Sequence, residues 1–159
     1  MSPLKPFQSK IIVLLTHQEL RIAELYRFYA SLFPDLREFW TDLSKDQMEY
    51  ATWLEYFYKK SDEGAAQFQE GKVKTYTVES FVKYLEDNIA KVKEKAPTPP
   101  AAFRLALDIE NSLMIKRVFE HFQSADRELA NLLVTLRDKK KDHLKRLEVQ
   151  STPFSPARR

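Results

Sequence analysis

The chain has 159 residues, room for one domain with a sizeable core and too few for two typical domains. Lys and Arg number 26 against 23 Asp and Glu, and the net charge of +3 permits anionic partners without demanding them. Cysteine is absent and glycine occurs only at Gly64 and Gly71, which excludes disulfides, thiolate catalysis and iron–sulfur clusters and argues against barrels, sandwiches and phosphate-cradling loops.

The first segment, about Gln8 to Phe33, places Ile12, Leu15, Glu19, Ile22, Tyr26, Tyr29 and Phe33 at alternating three- and four-residue steps, one face of a helix. Pro34 ends it and suits the first turn of the next helix. The second, about Asp35 to Lys60, carries Leu36, Trp40, Leu43, Gln47, Tyr50, Leu54 and Phe57. So short a connection predicts an antiparallel hairpin. Both glycines fall between Ser61 and Thr77, where Lys74–Val78 is locally β-prone without an evident partner.

A shorter helix follows, about Val78 to Lys95, with Phe81, Leu85, Ile89 and Val92 on one side, ended by Pro97-Thr98-Pro99-Pro100. The fourth segment, about Ala101 to Gln123, has Phe103, Leu107, Glu110, Met114 and Arg117 in its stripe. Ser124-Ala125-Asp126 forms a turn with a capping candidate. The fifth segment, about Asp126 to Val149, has Leu129, Leu133, Leu136, Lys140, His143 and Leu147. The tail at 151–159 is expected to be irregular.

Residues 1–150 therefore read as one all-α domain in which two helical hairpins are joined by a crossover, 61–100, that carries its own short helix. That is the ferritin-like version of a four-helix bundle. The longest aliphatic run, Ile11–Leu15, is five residues, too short for a membrane span or a signal segment, so a cytoplasmic chain without membrane contact is expected.

Each long helix carries a polar interruption near the middle of its apolar stripe: Glu19, then Gln47 and Tyr50, then Glu110, then Lys140 and His143. The two pairs are spaced i, i+3 and so share a face. Isolated buried charges are costly, so these groups are expected to meet.

At these positions the chain resembles the rubrerythrin-like branch of the ferritin superfamily. Glu19-Leu-Arg-Ile-Ala-Glu-Leu-Tyr26-Arg-Phe-Tyr-Ala30 is similar to that family's first-helix pattern, a ligating Glu followed by Tyr and Ala. Gln47-Met-Glu-Tyr50-Ala51 sits where the family has its first Glu-x-x-His-Ala, and Lys140-Lys-Asp-His143 where the second Glu-x-x-His lies. Ala106-Leu-Asp-Ile-Glu110 resembles the third-helix glutamate motif.

The resemblance implies four glutamates and two histidines around two iron or manganese ions. Glu19, Glu110 and His143 match, whereas Gln47, Tyr50 and Lys140 stand where the family has Glu, His and Glu. A protonated lysine repels a dication by about 4 kcal/mol per unit charge at 4 Å and an effective dielectric of 20. The expected layer is therefore an ammonium, Lys140, between Glu19 and Glu110, with Gln47 and Tyr50 completing the hydrogen bonds. His143 is either neutral or a second cation.

The reading is a protein with no cofactor and a lost di-metal centre, structural or binding in role. The alternative is a metal-binding oxidoreductase that keeps iron or manganese on Glu19, Glu110 and His143, with an external electron donor because no Cys-ligated iron lies in the chain. Asp46, Glu49 and Asp142 are the candidate substitute ligands. The resemblance also implies a homodimer, for which the aromatic-rich first hairpin offers a surface.

Tyr26, Tyr29, Phe39, Trp40, Tyr50, Trp53, Tyr56, Phe57 and Tyr58 read as core packing with hydrogen-bonded hydroxyls. The run Arg137–Arg146, with six basic and two acidic residues, reads as the basic half of a helix complementing its dipole. Nucleic acid is not expected there, since no recognised module accompanies the run. His17 and His121 lack ligand spacing and read as surface residues.

Overall fold

The computed structural model describes residues 6–62, 67–68, 75–116, 122–123 and 126–154. Among the described residues the chain is all-α apart from one short antiparallel pair. Its helices are α1 (Pro6–Leu32), α2 (Arg37–Asp62), α3 (Thr75–Glu94), α4 (Pro99–Lys116) and α5 (Arg127–Ser151). Strands β1 (Gln67–Phe68) and β2 (Phe122–Gln123) pair antiparallel, Gln67 opposite Gln123 and Phe68 opposite Phe122.

Local chemistry sets the boundaries. Phe33 precedes Pro34, whose ring disfavours helical backbone there; Phe33 sits at φ −118°, ψ 86° and α1 stops. Pro34 then opens a 3-10 turn, Pro34–Leu36, that leads into α2. Pro99 and Pro100 occupy the first turn of α4, where a missing N–H costs nothing, while Thr98 O accepts from Ala102 N at 2.9 Å.

Asp126 caps α5: its backbone is extended and its Oδ1 accepts from Leu129 N at 3.2 Å. Asp126→Ala is expected to lower stability by about 1 kcal/mol in denaturant unfolding.

Three expectations need correction. Residues 75–78 are the first turn of α3, because Val78 is buried on the same face as Phe81, Val82 and Leu85, and that helical spacing outweighs local β propensity. Phe122–Gln123 is a strand where a helix end was expected, since its backbone pairs with β1. The tail is ordered to 154: α5 reaches Ser151, a 3-10 turn follows, and the Phe154 ring stacks on Phe103 at 5.3 Å. Gly64, Gly71, Arg117, His121, Ser124, Ala125 and 155–159 lie outside the described residues, as does the Met114 side chain.

Contacts give the helix directions. Ala23 meets Ser44 and, further along α1, Tyr29 meets Trp40, so α1 and α2 run antiparallel. Asp46 meets Arg146, Glu49 meets Lys139 and Tyr56 meets Glu128, so α2 and α5 are antiparallel as well. The crossover helix α3 runs parallel to α1, held by Lys10–Glu79, His17–Glu86 and Glu24–Lys93. These rungs recur every seven residues on both helices, and the charge order reverses at the last.

The stripes are buried as their spacing predicts, except that Phe33, Leu36 and Leu107 are only partly covered; Ala106 and Ile109 supply the α4 face. The buried apolar side chains form two clusters. One contains Ile22, Tyr26, Trp40, Leu85, Phe103 and Leu147, with residues from all five helices. The other contains Ile11, Leu15, Tyr50, Leu54, Val78 and Leu136, and among the described residues nothing from α4. No helix among the described residues is long and apolar enough to cross a membrane.

Candidate functional site

Between the two clusters lies a polar layer. Glu19, Gln47 and His143 are fully buried, with Glu110, Gln18 and Lys140 at 1–3% exposure. The apolar residues a turn away on each helix force these positions inward, so the layer follows from the stripe spacing.

Lys140 Nζ donates to Glu19 Oε2 at 2.6 Å and to Gln47 Oε1 at 3.1 Å. Gln47 is a bridge: its Nε2 donates to Glu110 Oε1 at 3.0 Å. Glu110 Oε1 also accepts from the Tyr26 hydroxyl at 2.8 Å and lies 3.3 Å from His143 Nε2. One chain of contacts therefore links Lys140 to His143 through Gln47 and Glu110, with Glu19 attached at the Lys140 end.

Tyr50 corrects the expectation placed on it. Its hydroxyl does not complete the bonding of the ammonium; it donates to Lys139 O at 3.4 Å. The ring lies beneath Lys140 Nζ instead, 4.7 Å from nitrogen to centroid. The aromatic face stabilises the desolvated cation by its quadrupole.

Tyr26 packs in the core with a bonded hydroxyl, as its position in the stripe suggests, and the partner is a buried carboxylate. The available signal was its spacing, seven residues beyond Glu19 on the same face. Ser44 was missed; it sits three residues before Gln47, and its Oγ donates to Ala23 O at 2.9 Å. Gln18 was missed too, and nothing in its spacing marks it.

Burial pushes the Glu19 and Glu110 carboxyls above their ordinary range, and the Lys140 ammonium pulls back against it. Burial, reinforced by Lys140, pushes His143 down to about 3, so the ring is neutral at pH 7. Tyr26 is held well above its ordinary value by burial and then by the Glu110 charge. The layer thus contains one ammonium, two carboxyls and a neutral imidazole.

Asp46, Glu49 and Asp142 do not enter the layer. Asp46 is half-buried at its edge, 3.9 Å from His143 Nδ1, and accepts from Arg146. Glu49 pairs with Lys139 on the surface and Asp142 with Arg146. The basic run is dispersed: Lys140 is interior, Lys139 lies over Trp53 and binds Glu49, and Arg146 holds Asp46. His17 is a surface residue, bonded to Glu86 and Arg21.

The arrangement does not fit a metal pair. Among the described residues, no group of three or more His, Asp or Glu side chains could hold a metal ion. Glu19 Oε2 is already satisfied by an ammonium, and of the two glutamates His143 approaches Glu110. What the layer can do chemically is hold four helices together through charge-assisted bonds. No protein-family model, curated protein or solved structure matches the chain.

Proposed function

We propose that this chain is a ferritin-like, rubrerythrin-related protein in which a lysine ammonium takes the place of a di-metal centre, and that it serves as a structural or binding protein without redox catalysis. The observation carrying this reading is the buried Lys140 ammonium on Glu19 and Gln47, at the level where Glu110 and His143 also face inward. A cation stabilises two carboxylates buried together, and a side chain supplies it permanently, independent of metal supply.

A metal-dependent oxidoreductase on Glu19, Glu110 and His143 is the second reading. It draws on the 3.3 Å approach of His143 Nε2 to Glu110 Oε1.

The test is reversal. The triple variant Gln47→Glu, Tyr50→His, Lys140→Glu is expected to bind two equivalents of iron or manganese by elemental analysis, while the natural chain grown with the same metals binds none. A folded triple variant that takes up no metal removes the kinship. Stoichiometric metal in the natural chain favours the oxidoreductase.

A further inference from the structure

Every long helix crosses the polar layer, but the apolar packing does not. Within each cluster, apolar contacts reinforce one another because every side chain keeps water from its neighbours. Across the layer the contacts are ion pairs and hydrogen bonds, whose attraction is largely offset by the desolvation they require, and a single bridging ring, His143, which lies 5.8 Å from the Tyr26 ring of one cluster and 6.0 Å from the Tyr50 ring of the other. Energetic coupling between the two clusters is therefore weaker than cohesion inside either.

Unsatisfied atoms weaken the seam further. Gln18 Nε2, Glu19 Oε1 and His143 Nδ1 are buried without a well-formed hydrogen bond among the described residues, although Gln18 still draws the Glu19 carboxyl down; in the neighbouring cluster the Tyr29 hydroxyl and Trp40 Nε1 share that condition. Water reaching any of them restores the bond that burial withholds.

The two sides are also unequal. The cluster around Trp40 and Phe103 takes residues from all five helices and is closed at its far end by the Phe154 ring. The cluster around Leu15 and Leu54 is assembled from helix ends: the start of α1, the end of α2 and the first turns of α3 and α5. Helix ends fray, and ends that share one apolar cluster fray together.

We propose that the polar layer divides the molecule into two cooperative units, and that the unit around Ile11, Leu15, Tyr50, Leu54, Phe57 and Leu136 opens while the unit around Trp40 and Phe103 stays folded. Opening lifts the Tyr50 ring from Lys140 and admits water to the Glu19 side of the layer. Tyr26 and Trp40 keep the opposite side closed beneath Glu110.

Native-state hydrogen exchange of the full chain in low denaturant tests this. Slow amides in 12–16, 51–57 and 129–136 are expected to converge on one opening with a small denaturant dependence. Their protection is expected to lie about tenfold or more below that of amides in 22–29, 40–43 and 102–109, which exchange by global unfolding. One isotherm shared by both sets overturns the proposal.

Ile109→Val sharpens the test, because Ile109 belongs to the unit that stays folded. It is expected to lower protection of the second set about fivefold and leave the first within about twofold, since the partial opening breaks none of its contacts. Equal losses in both sets overturn the proposal. The wild-type isotherms decide the matter independently of how well the variant folds.

Discussion

Lys140→Ala is expected to remove about 3–5 kcal/mol of stability, read as a lower midpoint in urea unfolding with an unchanged slope. The loss comes less from the missing ion pair than from what it leaves behind. Glu19 stays fully buried with neither oxygen satisfied by Lys140, and the Gln47 carbonyl loses its donor. For a domain of this size such a loss is a large share of the whole.

The partner substitution separates the two contributions. Lys140→Met with Glu19→Gln removes both charges and keeps most of the volume, so the double variant is expected to recover most of the stability. A Lys140→Ala change within about 0.5 kcal/mol contradicts an interior ammonium.

The second large effect is acid sensitivity through His143. Its folded value lies near 3 against 6.5 unfolded, so between these limits the unfolded chain binds a proton that the folded chain refuses. Stability from this group is complete above pH 6.5 and is lost as pH falls, by about 1.4 kcal/mol per pH unit. Glu19 and Glu110 act with the opposite sign. Their folded values are raised, so their contribution is full below pH 4.5 and is lost as pH rises through those values.

The two effects partly cancel in the natural chain, and a variant isolates the first. Relative to His143→Gln, the natural chain is expected to lose on the order of 3 kcal/mol between pH 7 and pH 4 in urea titrations. Parallel pH profiles contradict a neutral buried imidazole.

Much of this site is legible in the chain because charge is conspicuous in an apolar stripe. Glu19, Gln47, Glu110, Lys140 and His143 interrupt helical spacings that otherwise hold Ile, Leu, Phe, Trp and Tyr, and all five are buried. The role of Tyr50 was not legible, since a tyrosine at that position serves equally through its hydroxyl or its ring, and only the path of the Lys140 stem decides. Tyr26 was hidden for a related reason: an aromatic in an apolar stripe reads as packing, and its bond to Glu110 spans 84 positions. Pairings between remote segments leave no local pattern, which is why the β1–β2 pair and the α1–α3 ion pairs were invisible. The β-prone residues before Val78 give no sign that α3 begins at Thr75, because Val78, with its buried neighbours four and eleven residues on, is the first residue of the stripe.

The polar rungs along α1 and α3 bear on how the crossover can change length. Lys10–Glu79, His17–Glu86 and Glu24–Lys93 keep the two helices in step over two heptads. A single residue inserted in α3 would swing each later partner about 100° around the helix, off α1 altogether. Shifting α3 by a whole heptad would set Glu24 against Glu86, like against like. These rungs therefore favour changes of length at the ends of the crossover helix over insertions within it.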